Sequence, residues 1–226
     1  MSKTRVLLSW SSGKDSAWTL YRLQQNPEVE VFGLLTTFNE AADRVAMHAV
    51  RRELVQAQAE AVGVPLFGVQ LPWPCSNAEY ERRMGEAMTK AKSDGITQVA
   101  FGDLFLEDIR AYRIEKLTCT GLTPLFPIWT DAMSTAKLAR EMLDKGPGAT
   151  LTCVDPKQLD PKFVGREFDQ ALLGELPARV DPCGERGEFH TFCHSGPMFR
   201  NPIQIQRGEM VERDGFWFAD LQLARD

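Results

Sequence analysis

The chain is poor in the features that would assign it to several large classes of protein. Its 226 residues hold five cysteines (Cys75, Cys119, Cys153, Cys183 and Cys193) and three histidines. The cysteine number is odd and no C-x-x-C pair occurs, which argues against a secreted disulfide framework and against a zinc ribbon. Free thiols in a reducing cytoplasm are the expectation. No apolar run approaches the length that crosses a bilayer, so no membrane association is expected. Met1-Ser2-Lys3 leads straight into a strand-like segment, without the pattern of a signal peptide. Basic excess is also missing: 26 Lys and Arg stand against 31 Asp and Glu, a formal net charge of −5. The densest basic pairs, Arg51-Arg52 and Arg82-Arg83, lie in helical patterns with Glu nearby. They read as solvated helix faces rather than a track for a nucleic-acid backbone. There are no internal repeats and no low-complexity segments.

What is present is an ordinary globular composition, 43% hydrophobic and 25% charged, in a chain long enough to bury a sizeable core. Val6-Leu7-Leu8 predicts a strand, followed by a Ser- and Gly-containing turn. Ala17, Trp18, Leu20, Tyr21 and Leu23 then recur at helical spacing. Val29 to Leu35 is a second strand after the Asn26-Pro27 break. Val45 to Val62 predicts a helix closed by Gly63, and Pro65 to Leu71 a third strand. A helix capped at Asn77 runs through Lys92, and Val99-Ala100-Phe101 is a fourth strand that ends in Gly102-Asp103. Strands alternating with helices imply an α/β fold, a parallel sheet with helices on both faces, whose ligands sit at the carboxyl ends of the strands.

Beyond this the pattern changes. A helix from Leu104 to about Cys119 precedes a Pro-rich turn, a strand-like Ile128-Trp129 and a helix from Ser134 to Lys145. Thr150–Val154, Ile203-Gln204-Ile205 and Phe216-Trp217-Phe218 read as strands. The expected organisation is a nucleotide-binding domain over 1–130 and a smaller α+β domain over 131–226.

The chemistry concentrates first in Ser11-Ser12-Gly13-Lys14-Asp15-Ser16. A Gly-containing loop between a strand and a helix offers backbone N–H groups and the positive end of the helix to an anion. The hydroxyls can donate, Lys14 can neutralise phosphate charge, and Asp15 can hold the loop or help to bind Mg²⁺. The G-x-x-x-x-G-K-[ST] pattern is absent. The shorter serine loop suits departure of the β- and γ-phosphates together as pyrophosphate.

This loop resembles the S-G-G-x-D-S loop of the N-type ATP pyrophosphatases, with Ser12 in place of the first Gly. Gly102-Asp103, Tyr112-Arg113-Ile114-Glu115, Gly121-Leu122, Pro127-Ile128-Trp129, Phe163-Val164-Gly165-Arg166 and Asp181 to Thr191 occur in order after it. Together, over essentially the whole chain, they resemble the diphthamide synthase (diphthine–ammonia ligase) family. Gly184-Glu185-Arg186-Gly187-Glu188-Phe189-His190-Thr191 is the most specific part. The compact chain and the Ser9-Trp10-Ser11-Ser12 spelling look like bacterial relatives.

The resemblance implies an adenine nucleotide alpha hydrolase (HUP-like) fold with ATP as substrate and Mg²⁺ as cofactor. It implies an AMP-forming reaction in which a carboxylate is adenylated and then attacked by ammonia or an amine. The acceptor would be a protein such as a translation elongation factor, and a homodimer is admissible. Nucleotide binding is assigned by it to Ser9, Ser11, Ser12, Gly13, Lys14, Asp15, Ser16, Thr36 and Gly102. Catalysis falls to Lys14, Asp103, Arg113, Glu115, Glu188 and His190, and substrate binding to Glu185, Gly187 and Thr191.

Read from the residues alone, Arg113 can grip a carboxylate and Glu115 can orient an amine, or both can be a solvated helix face. Alternation places Glu188 and His190 on one face of an extended segment, where the carboxylate can orient the imidazole for proton transfer. A histidine packed at a domain interface is the other reading. Cys183, His190, Cys193 and His194 match no standard zinc spacing, so no metal site is expected. His48 is expected on a helix surface. The resemblance implies an acceptor that carries a trimethylammonium group, which Trp73 and Trp129 could cage; both could instead simply pack. Three functions are weighed: the ligase on diphthine or another carboxylate, a tRNA-thiolation enzyme, and a nucleotide-sensing module. The acidic charge and scattered cysteines count against the second, and the Gly184–Thr191 string against the third.

Overall fold

The first apolar run forms the centre of a sheet because residues on both of its faces are wanted by a core. In the computed structural model, which describes residues 3–45 and 48–224, strand β1 is Thr4–Ser9. Val6 and Leu8 face one layer and Leu7 the other, each at most 1% exposed. Helix α1, Lys14–Gln24, follows the loop and buries Ala17, Trp18, Leu20 and Leu23. Strand β2, Val29–Asn39, pairs parallel with β1 over its first half and with β4, Leu66–Leu71, over its second. Between them lie β3, Arg44–Val45, and helix α2, Arg52–Val62. Helix α3, Asn77–Ser93, then leads to β5, Gln98–Ala100, which pairs parallel with β1 on its other side. Helix α4, Glu107–Thr118, and β6, Thr123–Leu125, complete the six-stranded sheet of order β3-β2-β1-β5-β6, with β4 on β2.

Helix α5, Thr135–Lys145, opens the second half. Strands β7, Gly148–Val154, β8, Phe189–Ser195, β9, Ile205–Arg213, and β10, Phe216–Leu223, form an antiparallel sheet of order β8-β7-β10-β9. The short helix α6, Gln170–Glu175, is N-capped by Asp169, whose carboxylate accepts from the Leu172 amide at 2.7 Å. The fold is therefore the expected α/β sheet with helices, joined to a smaller antiparallel domain. One hydrophobic core runs without a break from Val6, Trp10 and Trp18 through Leu54 to Leu151, Phe189 and Phe192. A second, smaller core under α3 and α4 holds Leu7, Leu35, Met88, Val99 and Leu117.

Four local expectations are corrected. The sheet is not wholly parallel, because β3 turns back antiparallel on Phe38-Asn39. The helix expected from Val45 starts at Arg52: the Val45 amide bonds the Val50 carbonyl at 2.8 Å, and Ala49 has a positive φ, so these residues close a tight loop. Both valines are buried, which gave them helical periodicity in the sequence. Ile128-Trp129 is a turn, and the strand lies earlier at β6. Helix α3 is capped by Ser76, one residue before Asn77, through an acceptor bond from the Glu79 amide at 3.2 Å.

Candidate active site

Three loops at the carboxyl ends of β1, β2 and β5 meet strand β8 around one cavity of about 580 Å³. The serine loop is its floor. Trp10 is buried and donates its indole N–H to Gln58 Oε1 at 2.8 Å; Gln58 in turn donates to the carbonyls of Ser12 (2.9 Å) and Cys193 (2.7 Å). The Cys193 amide also donates to the Ser12 carbonyl, at 2.9 Å. Ser12 is thereby held with φ at +73°, the left-handed region that glycine enters without cost. Its hydroxyl is buried without a hydrogen bond. Ser16 Oγ donates to the Gly13 carbonyl at 2.9 Å and lies 3.3 Å from Ser11 Oγ. Among the described residues, the amides of Ser11, Ser12 and Ser16 meet no acceptor, and they sit at the positive end of α1. Such an arrangement is chemically suited to an anion.

Gly102 is what lets the end of β5 come close. A Cβ there would lie 3.1 Å from the Asp15 carbonyl carbon and 3.2 Å from the Ser16 amide nitrogen. Asp103 follows and meets Arg113, Nε to Oδ2 at 3.5 Å, with neither atom hydrogen-bonded. Burial raises the Asp103 carboxyl above the ordinary range, against the opposing charge of Arg113.

Lys14 departs from its expected place as a free phosphate counter-charge. Its ammonium is buried, paired with Asp15 at 2.9 Å, bonded to the Cys183 carbonyl and flanked by the rings of Phe168 and Phe189 at 5.3 and 5.4 Å. Burial opposes its charge, yet Asp15, Cys183 and Glu185 together outweigh burial and keep its pKa above the usual value. The Lys14 amide donates to Thr191 Oγ1 at 3.0 Å. The two most informative strings of the sequence are thus bonded to each other.

Glu188 does not orient His190. Its carboxylate is buried and accepts from the amides of Asp181 (2.8 Å) and Arg186 (2.9 Å), clamping the turn that Gly184 and Gly187 make at positive φ. The residue stands just before β8, so strand alternation does not govern it. The turn aims Glu185 into the cavity, where it accepts from the Leu104 amide at 2.7 Å. Burial, with Asp15 and Asp103 beside it, lifts its carboxyl to about 7. His190 also lines the cavity, and burial lowers its imidazole to about 4. Its neighbour is the ring of His48, with centroids 4.5 Å apart.

His48 is the residue that sequence reasoning missed. It stands in the loop before α2, not on a helix surface, and its Nδ1 lies 3.3 Å from the Thr191 carbonyl. The signal was available: a histidine in a chain with three, next to the loop that follows a strand end. Gln58 was missed as well, since a polar residue inside a helical pattern gives no sign of its depth. Arg51, expected on a solvated face, makes two bonds to Asp220 on β10 at 3.0 and 2.6 Å, and Arg44 adds a third at 2.8 Å.

Other assignments separate. Thr36 points away from the cavity and donates to the Trp10 carbonyl at 2.8 Å, while Leu35 and Thr37 on the opposite face line it. Glu115 is exposed; Tyr112, Arg113, Lys116 and Leu117 form the cavity-facing side of α4. Ser9, Ser11, Gly102, Asp103 and Thr191 line the cavity. Gly187 shapes the turn without lining it. Trp73 is 69% exposed and Trp129 is covered by Arg110; neither reaches the site. His194 bonds Glu167 at 3.1 Å, apart from His190. Among the described residues no group of three or more His, Cys, Asp or Glu is arranged to hold a metal ion by itself.

Fold and loop together define a nucleotide-binding α/β protein of the adenine nucleotide alpha hydrolase type, carrying an antiparallel domain that completes its site. The chain matches the diphthamide synthase N-terminal domain over residues 3–123 and the diphthamide synthase C-terminal domain over 134–224. It belongs to the diphthamide synthase family, and is an ATP-dependent carbon–nitrogen ligase. Among curated proteins it is similar to the diphthine–ammonia ligases of Homo sapiens (26% identical, covering 98% of this chain and 90% of the relative) and Danio rerio (26%, 98% and 94%). That of Mus musculus is 27% identical over 98% of this chain and 90% of its own length. No described helix is long and apolar enough to cross a membrane.

Proposed function

We propose that the chain adenylates an acceptor carboxylate with ATP, releasing pyrophosphate, and passes the acyl group to ammonia or an amine with release of AMP. The observation that carries this reading is the bonding of the serine loop to β8 and to the turn before it: Lys14 to Thr191, Ser12 to Cys193, and the Lys14 ammonium to Cys183. A carboxylate cannot expel its own oxygen, so activation must precede nitrogen attack. The chemistry needs phosphate and acceptor in one chamber, and the two domains build one. The loop amides would take the departing pyrophosphate, as pre-arranged donors aimed at developing charge. Arg113, beside Asp103 at the cavity wall, is the cation available to an incoming carboxylate. Glu185 reaches across from the β8 side toward the same space.

The residues fit a Mg²⁺ ion carried in with ATP, because Asp103 Oδ2 is a buried carboxylate oxygen without a hydrogen bond. When bound there, the ion would supply neutralisation of the pyrophosphate charge. We read residues 1–130 as the nucleotide-binding domain and 131–226 as the substrate domain, the acceptor as a diphthine-type carboxylate on an elongation factor, and the compartment as the cytoplasm. The test is incubation with α-labelled ATP, Mg²⁺, ammonium and a diphthine-bearing elongation factor. AMP, pyrophosphate and a new amide are expected; ADP and phosphate, or no turnover of bound ATP, would overturn the reading.

A further inference from the structure

Two imidazoles face the cavity, and their surroundings are not alike. Both rings of the pair line the same space, 4.5 Å apart with 36° between planes. His190 has no hydrogen bond on either nitrogen among the described residues, so nothing fixes its tautomer. His48 has its Nδ1 at 3.3 Å from the Thr191 carbonyl, an acceptor only, so the proton of the neutral ring belongs on Nδ1. The lone pair then lies on Nε2. That atom has no partner among the described residues, and it is not among the polar atoms sealed from solvent. The ring also sits on the serine loop: a Cβ added at Gly13 would come within 3.3 Å of His48 Cε1.

The loop that carries His48 is fastened on both sides. Arg44 bonds the Ala49 carbonyl at 2.7 Å and Asp220 at 2.8 Å, and Arg51 grips the same carboxylate. Fixing a ring by its neighbours, with its tautomer set by a carbonyl, is the construction of a positioned base.

We propose that His48 is a catalytic residue of the ligase, its Nε2 receiving the proton released when the nitrogen nucleophile joins the activated acyl carbon. This rests on the AMP-forming reading given above. The nitrogen lone pair forms the N–C bond while the carbonyl π pair moves to oxygen. The nitrogen, now ammonium-like, loses one proton to Nε2. The carbonyl reforms as the C–O bond to AMP breaks, and AMP leaves with that bonding pair. His48 returns its proton to solvent. The ring is neutral beforehand: burial, the adjoining His190 and Lys14 lower its pKa, and the Thr191 carbonyl opposes them only in part. These are the charged and titratable groups that face it, from β8 and α1.

The experiment has two arms on the full chain. In the first, H48Q is compared with wild type on ATP, Mg²⁺ and the diphthine-bearing elongation factor. In a single turnover, pyrophosphate release should persist within a few-fold while amide formation with ammonium falls about 100-fold. Hydroxylamine, whose adduct nitrogen is acidic enough to lose its proton to water, should still give the hydroxamate. Equal loss of both products, or no loss, overturns the assignment. If wild type itself makes no amide, the reading of the acceptor fails instead, and the second arm decides. Nitrogen-15 NMR of the histidine rings at pH 7 should show His48 protonated on Nδ1 and bare on Nε2, with Nε2 shifted by an acetylsulfamoyl-adenosine mimic of the acyl-adenylate. A proton on Nε2, or no response to the mimic, overturns the proposal.

Discussion

Replacing Gln58 with leucine should uncouple the phosphate loop from the second domain. The side chain is fully buried on α2 and ties the serine loop to β8 from beneath. It accepts from Trp10 on the strand end, and donates to Ser12 in the loop and to Cys193 on β8. Leucine keeps the volume and the helix, and removes all three bonds. The Ser12 carbonyl retains the Cys193 amide, but the Trp10 N–H loses its partner inside the core. With about 1 kcal/mol net for each of the two bonds to carbonyls and about 1–3 kcal/mol for the buried indole donor left alone, the loss should be about 3–5 kcal/mol. Equilibrium urea denaturation followed by tryptophan fluorescence measures it, and the KM for ATP should rise because Ser12 is no longer pinned at positive φ. Glutamate at the same place is a sharper probe. It can accept from Trp10, but it must hold a proton to donate to either carbonyl. Its folded-state pKa is therefore raised, and Q58E should lose stability as pH rises above about 4.3, the ordinary glutamate value. A Q58L variant within about 1 kcal/mol of wild type would refute the reasoning, since no core arrangement satisfies an indole N–H for less.

Ser12→Gly should stabilise the protein by about 1 kcal/mol, because it relieves a left-handed φ and removes an unpaired buried hydroxyl; the shift in urea midpoint reads it. Gly102→Val should do the reverse to function, since even its Cβ meets the Asp15 backbone at 3.1 Å, and ATP binding by calorimetry should weaken at least tenfold. The pH dependence of stability follows from His48 and His190, both lowered in the fold. The unfolded chain then binds more protons below about 6.5, so stability is full above that pH and falls as pH drops. The slope should be about 1.4 kcal/mol per pH unit for each ring, ending for His190 near pH 4, and H190N should flatten it. Asp220→Asn should raise the rate of amide hydrogen exchange at Val45 and Ala49, because one carboxylate holds both Arg44 and Arg51.

The alternating apolar runs and their breaks determined the sheet, because strands buried on both faces leave a pattern that each segment carries within itself. The serine loop announced its role for the same reason: strand, small residues and helix are contiguous, and the free amides follow from that local geometry. The string from Gly184 to Thr191 was recognisable, but the work of its members was not. Glu188 looked like a partner for His190 by alternation, yet strand β8 begins one residue later and the carboxylate turns to close the loop. Glu115 sits two residues from Arg113 on a helix that turns 100° per residue, so only one of them meets the cavity. His48, Gln58 and Asp220 gained their places only when β8 and β10 packed against α1, α2 and the loop before it. Hydrogen bonds spanning 48, 135 or 169 positions leave no trace in local periodicity. The sequence by itself marked the serine loop as the candidate for phosphate; tertiary packing decided which imidazole would lie against that loop, since that depends on which surfaces the two sheets bury between them.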